Sequence, residues 1–147
     1  GSSFHRVLWD DADTGMSKKL VADAKIRRVV LCSGKVYFDL LEAREAKGID
    51  DVYLMRVEQL YPFPGEKLAL ELKRFPKAEI VWCQEEPRNM GAWHFVDRRI
   101  EGVLTGLGGK AKRPTYVGRA DSASTATGLL RRHNAEQEEL VTAALTI

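Results

Sequence analysis

Apolar residues fall along this chain in short unbroken runs, separated by stretches in which they recur every three or four positions, as expected of strands and helices in turn. Val29, Val30, Leu31 and Cys32 make the first clear run, short and continuous like a strand buried on both faces of a parallel sheet. Ser33 and Gly34 end it. From Lys35 to Lys47 the spacing of Tyr37, Leu40, Leu41 and Arg44 predicts a helix, and Gly48 is a stop signal just past its last turn. The unit then repeats. Val52 to Val57 predicts a second strand, Pro62 and Pro64 mark its exit, and Glu66 to Arg74 predicts a short helix carrying Leu68 and Leu72. Pro64 is tolerated there because the first N–H groups of a helix lack intrahelical partners anyway.

Ile80 to Cys83 predicts a third strand, and Trp93, Val96, Ile100, Val103 and Leu107 form the apolar stripe of a helix that Gly106, Gly108 and Gly109 bring to a close. Thr115 to Val117 predicts a fourth strand. Ser122, Ser124 and Thr125 suit the N-cap of a last helix running to about Leu145, with Leu130, His133, Leu140, Val141 and Ala144 on its buried side. His133 on that stripe reads as a packed core histidine and is given no chemistry. Phe4 to Trp9 is strand-like and set off by the polar stretch Asp10 to Ser17, which predicts an antiparallel edge strand.

Strands alternating with helices require crossover connections, so the fold class is α/β, a three-layer α/β/α sandwich around a mostly parallel sheet. A length of 147 residues fits one domain with one core. Apolar residues at 44% and charged residues at 30% describe a globular chain with no tract that signals disorder. The net charge of +2 leaves no footprint for nucleic acid, since the one basic cluster, Lys110 to Arg113, reads as a solvated loop. Cys32 and Cys83 lie in strand runs and read as buried free thiols, so a secreted disulfide scaffold is not implied. No stretch reaches the roughly 18 apolar residues of a membrane span, and the N-terminus lacks a signal-peptide pattern. The expectation is a soluble intracellular protein, and the start at Gly1 without a Met is compatible with a piece of a longer chain.

In open α/β sheets ligands gather at the carboxyl ends of the strands, and three loops there carry distinctive chemistry. Ser33, Gly34 and Lys35 join a strand directly to a helix, where free N–H groups and a cation suit an anion; a tight turn with a solvated lysine is the simpler reading. Gln84, Glu85, Glu86, Pro87, Arg88 and Asn89 place neighbouring carboxylates at a strand end, suited to inter-subunit ion pairs more than to acid–base work, because no His, Ser or Cys constellation accompanies them. Gly118 to Thr125 sets Arg119 and several hydroxyls before the last helix, suited to phosphate or to capping alone.

The stretches RRVVLCSGKVYFDLLEAR (Arg27 to Arg44), RVEQLYPFP (Arg56 to Pro64) and WCQEEPRNMGAW (Trp82 to Trp93) closely resemble the C-terminal part of the decarboxylating first component of 2-oxoglutarate dehydrogenase complexes. FHRVLWDDAD (Phe4 to Asp13) and SASTATG (Ser122 to Gly128) extend the likeness over nearly the whole chain. The resemblance implies a transketolase-type C-terminal domain, a five-stranded mixed sheet whose first strand is antiparallel, cut from a longer chain. It also implies a parent enzyme that is a homodimer, decarboxylates 2-oxoglutarate on thiamine diphosphate and magnesium, and passes succinyl to the lipoyl-bearing component in the tricarboxylic acid cycle. Such a parent is cytoplasmic in bacteria and in the mitochondrial matrix in eukaryotes.

This chain lacks the GDG-then-Asn signature that holds the diphosphate, so no catalytic, cofactor or metal residue is assigned to it. Its expected roles are assembly with the remaining domains and the second subunit, through Gln84, Glu85, Glu86, Arg88, Asn89 and Trp93, and binding of an effector such as acetyl-CoA or AMP through Ser33, Lys35 and Arg119. A stand-alone nucleotide-binding regulatory module is the alternative.

Overall fold

The structure, a computed structural model, describes residues 7–119 and 130–147. Five strands form one sheet: β1 (Val7–Leu8), β2 (Arg28–Cys32), β3 (Val52–Val57), β4 (Glu79–Pro87) and β5 (Thr115–Arg119), in the order β1-β3-β2-β4-β5. β1 runs antiparallel to β3, with Val7 opposite Val57, and the other pairings are parallel. The helices are α1 (Val36–Lys47), α2 (Gly65–Leu72), α3 (Trp93–Leu107) and α4 (Leu130–Leu145). The α/β class and the antiparallel first strand both follow the sequence expectation.

Side chains of successive strand residues point to opposite faces, and this alternation divides the core in two. Val29, Leu31, Tyr53, Met55, Ile80 and Trp82 pack beneath α2 and α3, meeting Leu68, Leu72, Trp93, Val96, Ile100 and Leu104. Val30, Cys32, Leu54, Val81 and Cys83 face the other way, against Val36, Tyr37 and Leu40 of α1 and Leu140, Val141 and Ala144 of α4. Because β2 is covered on both faces, its sequence is a continuous apolar run rather than an alternating one.

Several boundaries move. β4 extends to Pro87 instead of ending at Cys83, because the polar Gln84–Glu86 segment continues past an irregularity and rejoins β5 at Pro87 opposite Arg119. α3 buries Leu104 where Val103 was expected, a shift of one residue along the stripe that leaves Val103 and Leu107 half-buried. His133 is exposed rather than packed in the core. At that level α4 passes the carboxyl ends of β4 and β5, where polar groups such as Glu85 and Gln137 surround a groove in place of apolar strand residues. Ser122, Ser124 and Thr125, and the side chain of Leu130, lie outside the described residues.

The segment after β1 is fastened by a feature the apolar pattern conceals. Asp10 and Arg44 are both fully buried and paired through both carboxylate oxygens, and the same carboxylate accepts from the backbone N–H of Leu54 at 2.7 Å and of Ala12 at 2.9 Å. Arg44 therefore occupies the buried stripe of α1 as a charged residue. Beside it, Arg74 bridges Asp13 and Asp23 at 2.9 Å each, and the Tyr53 hydroxyl donates to Asp13. Burial raises the Asp13 carboxyl, but its bonds from Arg74 and Tyr53 outweigh this and hold it below its ordinary range.

Candidate functional site

The order of the strands puts a crevice at a definable place. β2 lies between β3 and β4, so the connection leaving β2 goes to one side of it and β4 returns on the other, and the loops at their carboxyl ends diverge. A cavity of about 410 Å³ opens there, lined by residues that include Ser33 from the loop after β2, Gln84 and Glu86 from β4, and Tyr61 and Phe95 from the flanking segments. Tyr61 is 72% exposed and packs on Phe95 with ring centroids 4.1 Å apart, while the Arg99 guanidinium lies 3.6 Å from the Phe95 centroid. This aromatic wall was not read from the sequence. Its signal was Phe95, a large aromatic set off the apolar stripe of α3.

Gln84 organises the strand end. Its side-chain oxygen accepts from the Trp82 indole at 2.9 Å and the Trp93 backbone N–H at 3.0 Å, and its amide donates to the carbonyls of Glu86, Pro87 and Met90 at 3.2, 3.0 and 2.8 Å. One buried amide thus satisfies five groups and fixes the turn into α3. The backbone closes tightly around it: a Cβ on Gly91, whose φ is +70°, would stand 3.1 Å from the Glu86 Cβ and 3.2 Å from the Gln84 amide, and one on Gly118 would stand 2.7 Å from the Gln84 carbonyl oxygen.

The six residues singled out around this turn separate by burial. Gln84 and Trp93 are inside the subunit, at 4% and 5% exposure. Glu86, Arg88 and Asn89 are exposed, with Arg88 lying 5.2 Å from the Tyr116 ring centroid and 5.9 Å from that of Trp93. Glu85, half-buried, points to the opposite face of the sheet.

On that opposite face two of the three predicted anion-binding residues come together. Lys35 pairs with the Glu85 carboxylate at 3.0 Å, and Arg119 donates to the Glu85 backbone carbonyl, to Glu136 at 3.1 Å and to Gln137 at 3.1 Å. Lys35 lines a groove of about 510 Å³ between α1 and α4, with Asp39, Glu85, His133 and Gln137 among its other walls, and Arg119 stands behind it, bonded to Glu85 and Gln137. Lys35 is 81% exposed whereas Arg119 is 12% exposed, so the lysine is the available cation and the arginine holds the strand end in place. Ser33 is not part of this group, because it lines the crevice on the other side of β4. The Gly34 N–H between them is already taken by Glu58 at 3.2 Å.

Among the described residues no three His, Cys, Asp or Glu side chains converge as a metal site, and no helix is long and apolar enough to cross a membrane. The buried thiols are poor nucleophiles. Burial, with the neighbouring Cys83, raises Cys32 well above its ordinary value, and burial pushes Cys83 up to about 12.

Comparison with known proteins places this geometry. The family profile described as 2-oxoglutarate dehydrogenase C-terminal matches residues 1–145. The "2-oxoglutarate dehydrogenase E1 component" of Brucella abortus (strain S19) is 63% identical over 137 residues, covering 92% of this chain and 14% of that protein. The protein of the same description from Brucella ovis is 62% identical over 137 residues, with the same coverage of each chain. The chain thus spans about one seventh of the length of these relatives. With the match running from end to end of its sheet and helices, the chain belongs to the family of 2-oxoglutarate dehydrogenase C-terminal domains.

Proposed function

We propose that this chain is the C-terminal assembly and regulatory domain of a 2-oxoglutarate dehydrogenase first component. In this reading the parent chain decarboxylates 2-oxoglutarate on thiamine diphosphate with magnesium and transfers succinyl to the lipoyl group of the second component, within the tricarboxylic acid cycle. The observation that carries the reading is the match over residues 1–145 to a family whose curated members are about seven times longer.

The side chains at the strand ends do not fit thiamine diphosphate and its metal. The Glu85 carboxylate is engaged by Lys35 and that of Glu58 by the Gly34 N–H, and no set of three His, Cys, Asp or Glu side chains converges among the described residues. We therefore derive no catalytic step through this domain. What it offers is a turn, held by Gln84, that presents Glu86, Arg88 and Asn89 outward to a second subunit, with Trp93 buried beneath it and Glu85 paired with Lys35 on the opposite face of the sheet.

The groove at Lys35 suits the phosphate of an effector such as acetyl-CoA or AMP. The Lys35 ammonium stands at the N-terminus of α1, and a phosphate there competes with Glu85 for it while gaining roughly 1 kcal/mol from the helix terminus. Arg119 positions Glu85 and thereby the lysine. Ser33 would reach an effector only if it also entered the crevice between β2 and β4.

Two experiments test the reading. Ferricyanide reduction by the isolated chain with 2-oxoglutarate, thiamine diphosphate and magnesium is expected to equal a heat-killed control, and turnover above it refutes the assignment of catalysis to the rest of the parent. Calorimetric titration of the parent enzyme with acetyl-CoA and with AMP is expected to show weaker binding after Lys35→Ala and Arg119→Ala. Equal affinity in both variants removes the effector role from this groove.

A further inference from the structure

At the end of the sheet remote from these loops, a second kind of site is built. The chain leaves α2 through Lys73 to Pro76 and leaves α3 through Gly108 to Ala111, and the Lys110 N–H donates to the Pro76 carbonyl at 3.0 Å, clamping the two connections side by side. Between them lies a cavity of about 150 Å³ whose walls are Leu72, Phe75, Ile80, Leu104, Leu107 and Ala111. Gly109 sits against Pro76 so closely that a Cβ would stand 3.1 Å from the Pro76 carbonyl, so the near approach of the two connections depends on glycine. The aliphatic and aromatic part of a cavity of this size accepts a hydrocarbon about as large as benzene.

The mouth has the opposite character. Lys73 and Lys110 border the same cavity, both are exposed, and neither ammonium is paired with a carboxylate among the described residues. Lys77 and Lys112, also exposed, follow closely in the two connections, and Glu101, the acid in the neighbouring part of α3, is paired with Arg113 at 3.1 Å. An apolar hole with unpaired cations at its mouth complements one ligand chemistry: an anionic head on a short hydrocarbon tail.

We propose that this pocket binds a soluble medium-chain carboxylate, its tail of about five to seven carbons among Leu72, Phe75, Ile80, Leu104 and Leu107 and its carboxylate between Lys73 and Lys110. The site is separate from the strand-end groove and requires none of its residues. A tail that fills the cavity follows the burial of methylenes, each worth about a fourfold gain in affinity. Each exposed carboxylate–lysine contact adds a factor of about two to five.

The test is calorimetric titration of the full-length enzyme with the sodium salts of butanoate, hexanoate and octanoate, with 1-octanol and acetate as controls. The expected result is affinity rising about fourfold per methylene up to the length that fills the cavity. Octanoate should bind more tightly than octanol, Lys73→Glu with Lys110→Glu should weaken octanoate about tenfold, and Ala111→Phe, which puts a ring into the cavity, should abolish binding. The two lysine changes lie on the surface and leave the core intact, so they report on the head group whether or not Ala111→Phe folds. No binding of octanoate, octanol bound as tightly as octanoate, or unchanged affinity after the lysine reversals overturns the proposal. So does co-sedimentation with anionic phospholipid vesicles in the absence of octanoate binding, which would assign the basic rim to a membrane surface.

Discussion

Replacing Asp10 by alanine should be among the most damaging single changes in this chain, for a reason rooted in desolvation. Asp10 and Arg44 are both at 0% exposure, so the pair exists only because each charge neutralises the other away from water. Removing the carboxylate leaves the Arg44 guanidinium buried with the Val52 carbonyl and, at 3.3 Å, the Ser17 hydroxyl as its remaining partners, and leaves the Leu54 N–H without its acceptor. Breaking one side of a buried pair costs about 3–5 kcal/mol, a large fraction of the roughly 5–15 kcal/mol that holds a domain together.

For a chain of this length each kcal/mol lowers the melting temperature by about 2–4 °C, so Asp10→Ala should melt about 6–20 °C below the parent sequence. Circular dichroism at 222 nm on heating, with urea titration to check the magnitude, measures this. Arg44→Met should cost a similar amount by leaving the carboxylate alone. The double variant should lie nearer to one single change than to their sum, because neither charge then remains stranded. If Asp10→Ala melts within about 2 °C of the parent sequence, the reasoning fails. Additive single changes would show that the two groups act independently.

Four further outcomes follow from the same structure. Because the folded state holds the Asp13 carboxyl below its ordinary range, its contribution is complete at neutral pH and is lost as pH falls through the depressed folded value; Asp13→Asn should therefore narrow the stability gap to the parent sequence in acid, as urea midpoints at stepped pH will show. Gly91→Ala should cost about 1–3 kcal/mol, since it combines a positive φ with a Cβ set against Gln84, and an unchanged urea midpoint would contradict the turn geometry. Cys32 and Cys83 should react with a thiol reagent only on unfolding, so two equivalents of rapid labelling under native conditions would contradict their burial. If the exposed turn meets a second subunit as proposed, Arg88→Glu should weaken self-association of the full-length enzyme in analytical ultracentrifugation while leaving the melting temperature near that of the unchanged sequence; self-association unaffected by the change would remove the turn from that role.

How much of this was legible in the sequence depended on how local each cause is. Strand β3 was predicted residue for residue, and helix α1 lost only Lys35 at its start, because a buried strand or an apolar helix stripe is written in the residues that form it. Gly48 ended α1 for an equally local reason, a φ of 67° that glycine reaches without strain. The motif stretches identified the family, since ordered sequence over most of a chain carries more than any short pattern.

Tertiary structure decided what depends on residues distant in the chain. Arg44 met the spacing of a core position, but nothing near it announced that Asp10, 34 residues earlier, would neutralise it there. Gln84 read as one polar residue in an exposed-looking turn; the indole of Trp82, the backbone of Trp93 and the pairing of Pro87 with Arg119 turned it into the buried hub of an extended β4. Lys35 and Arg119 were chosen for similar loops, yet only the parallel alignment of β2, β4 and β5 brought both to Glu85 and sent Ser33 to the other side. Local propensity determines which segments become strands and helices. Crossovers and strand order determine which side chains share a site, because strand direction and register set the ends and faces on which residues far apart in the chain meet.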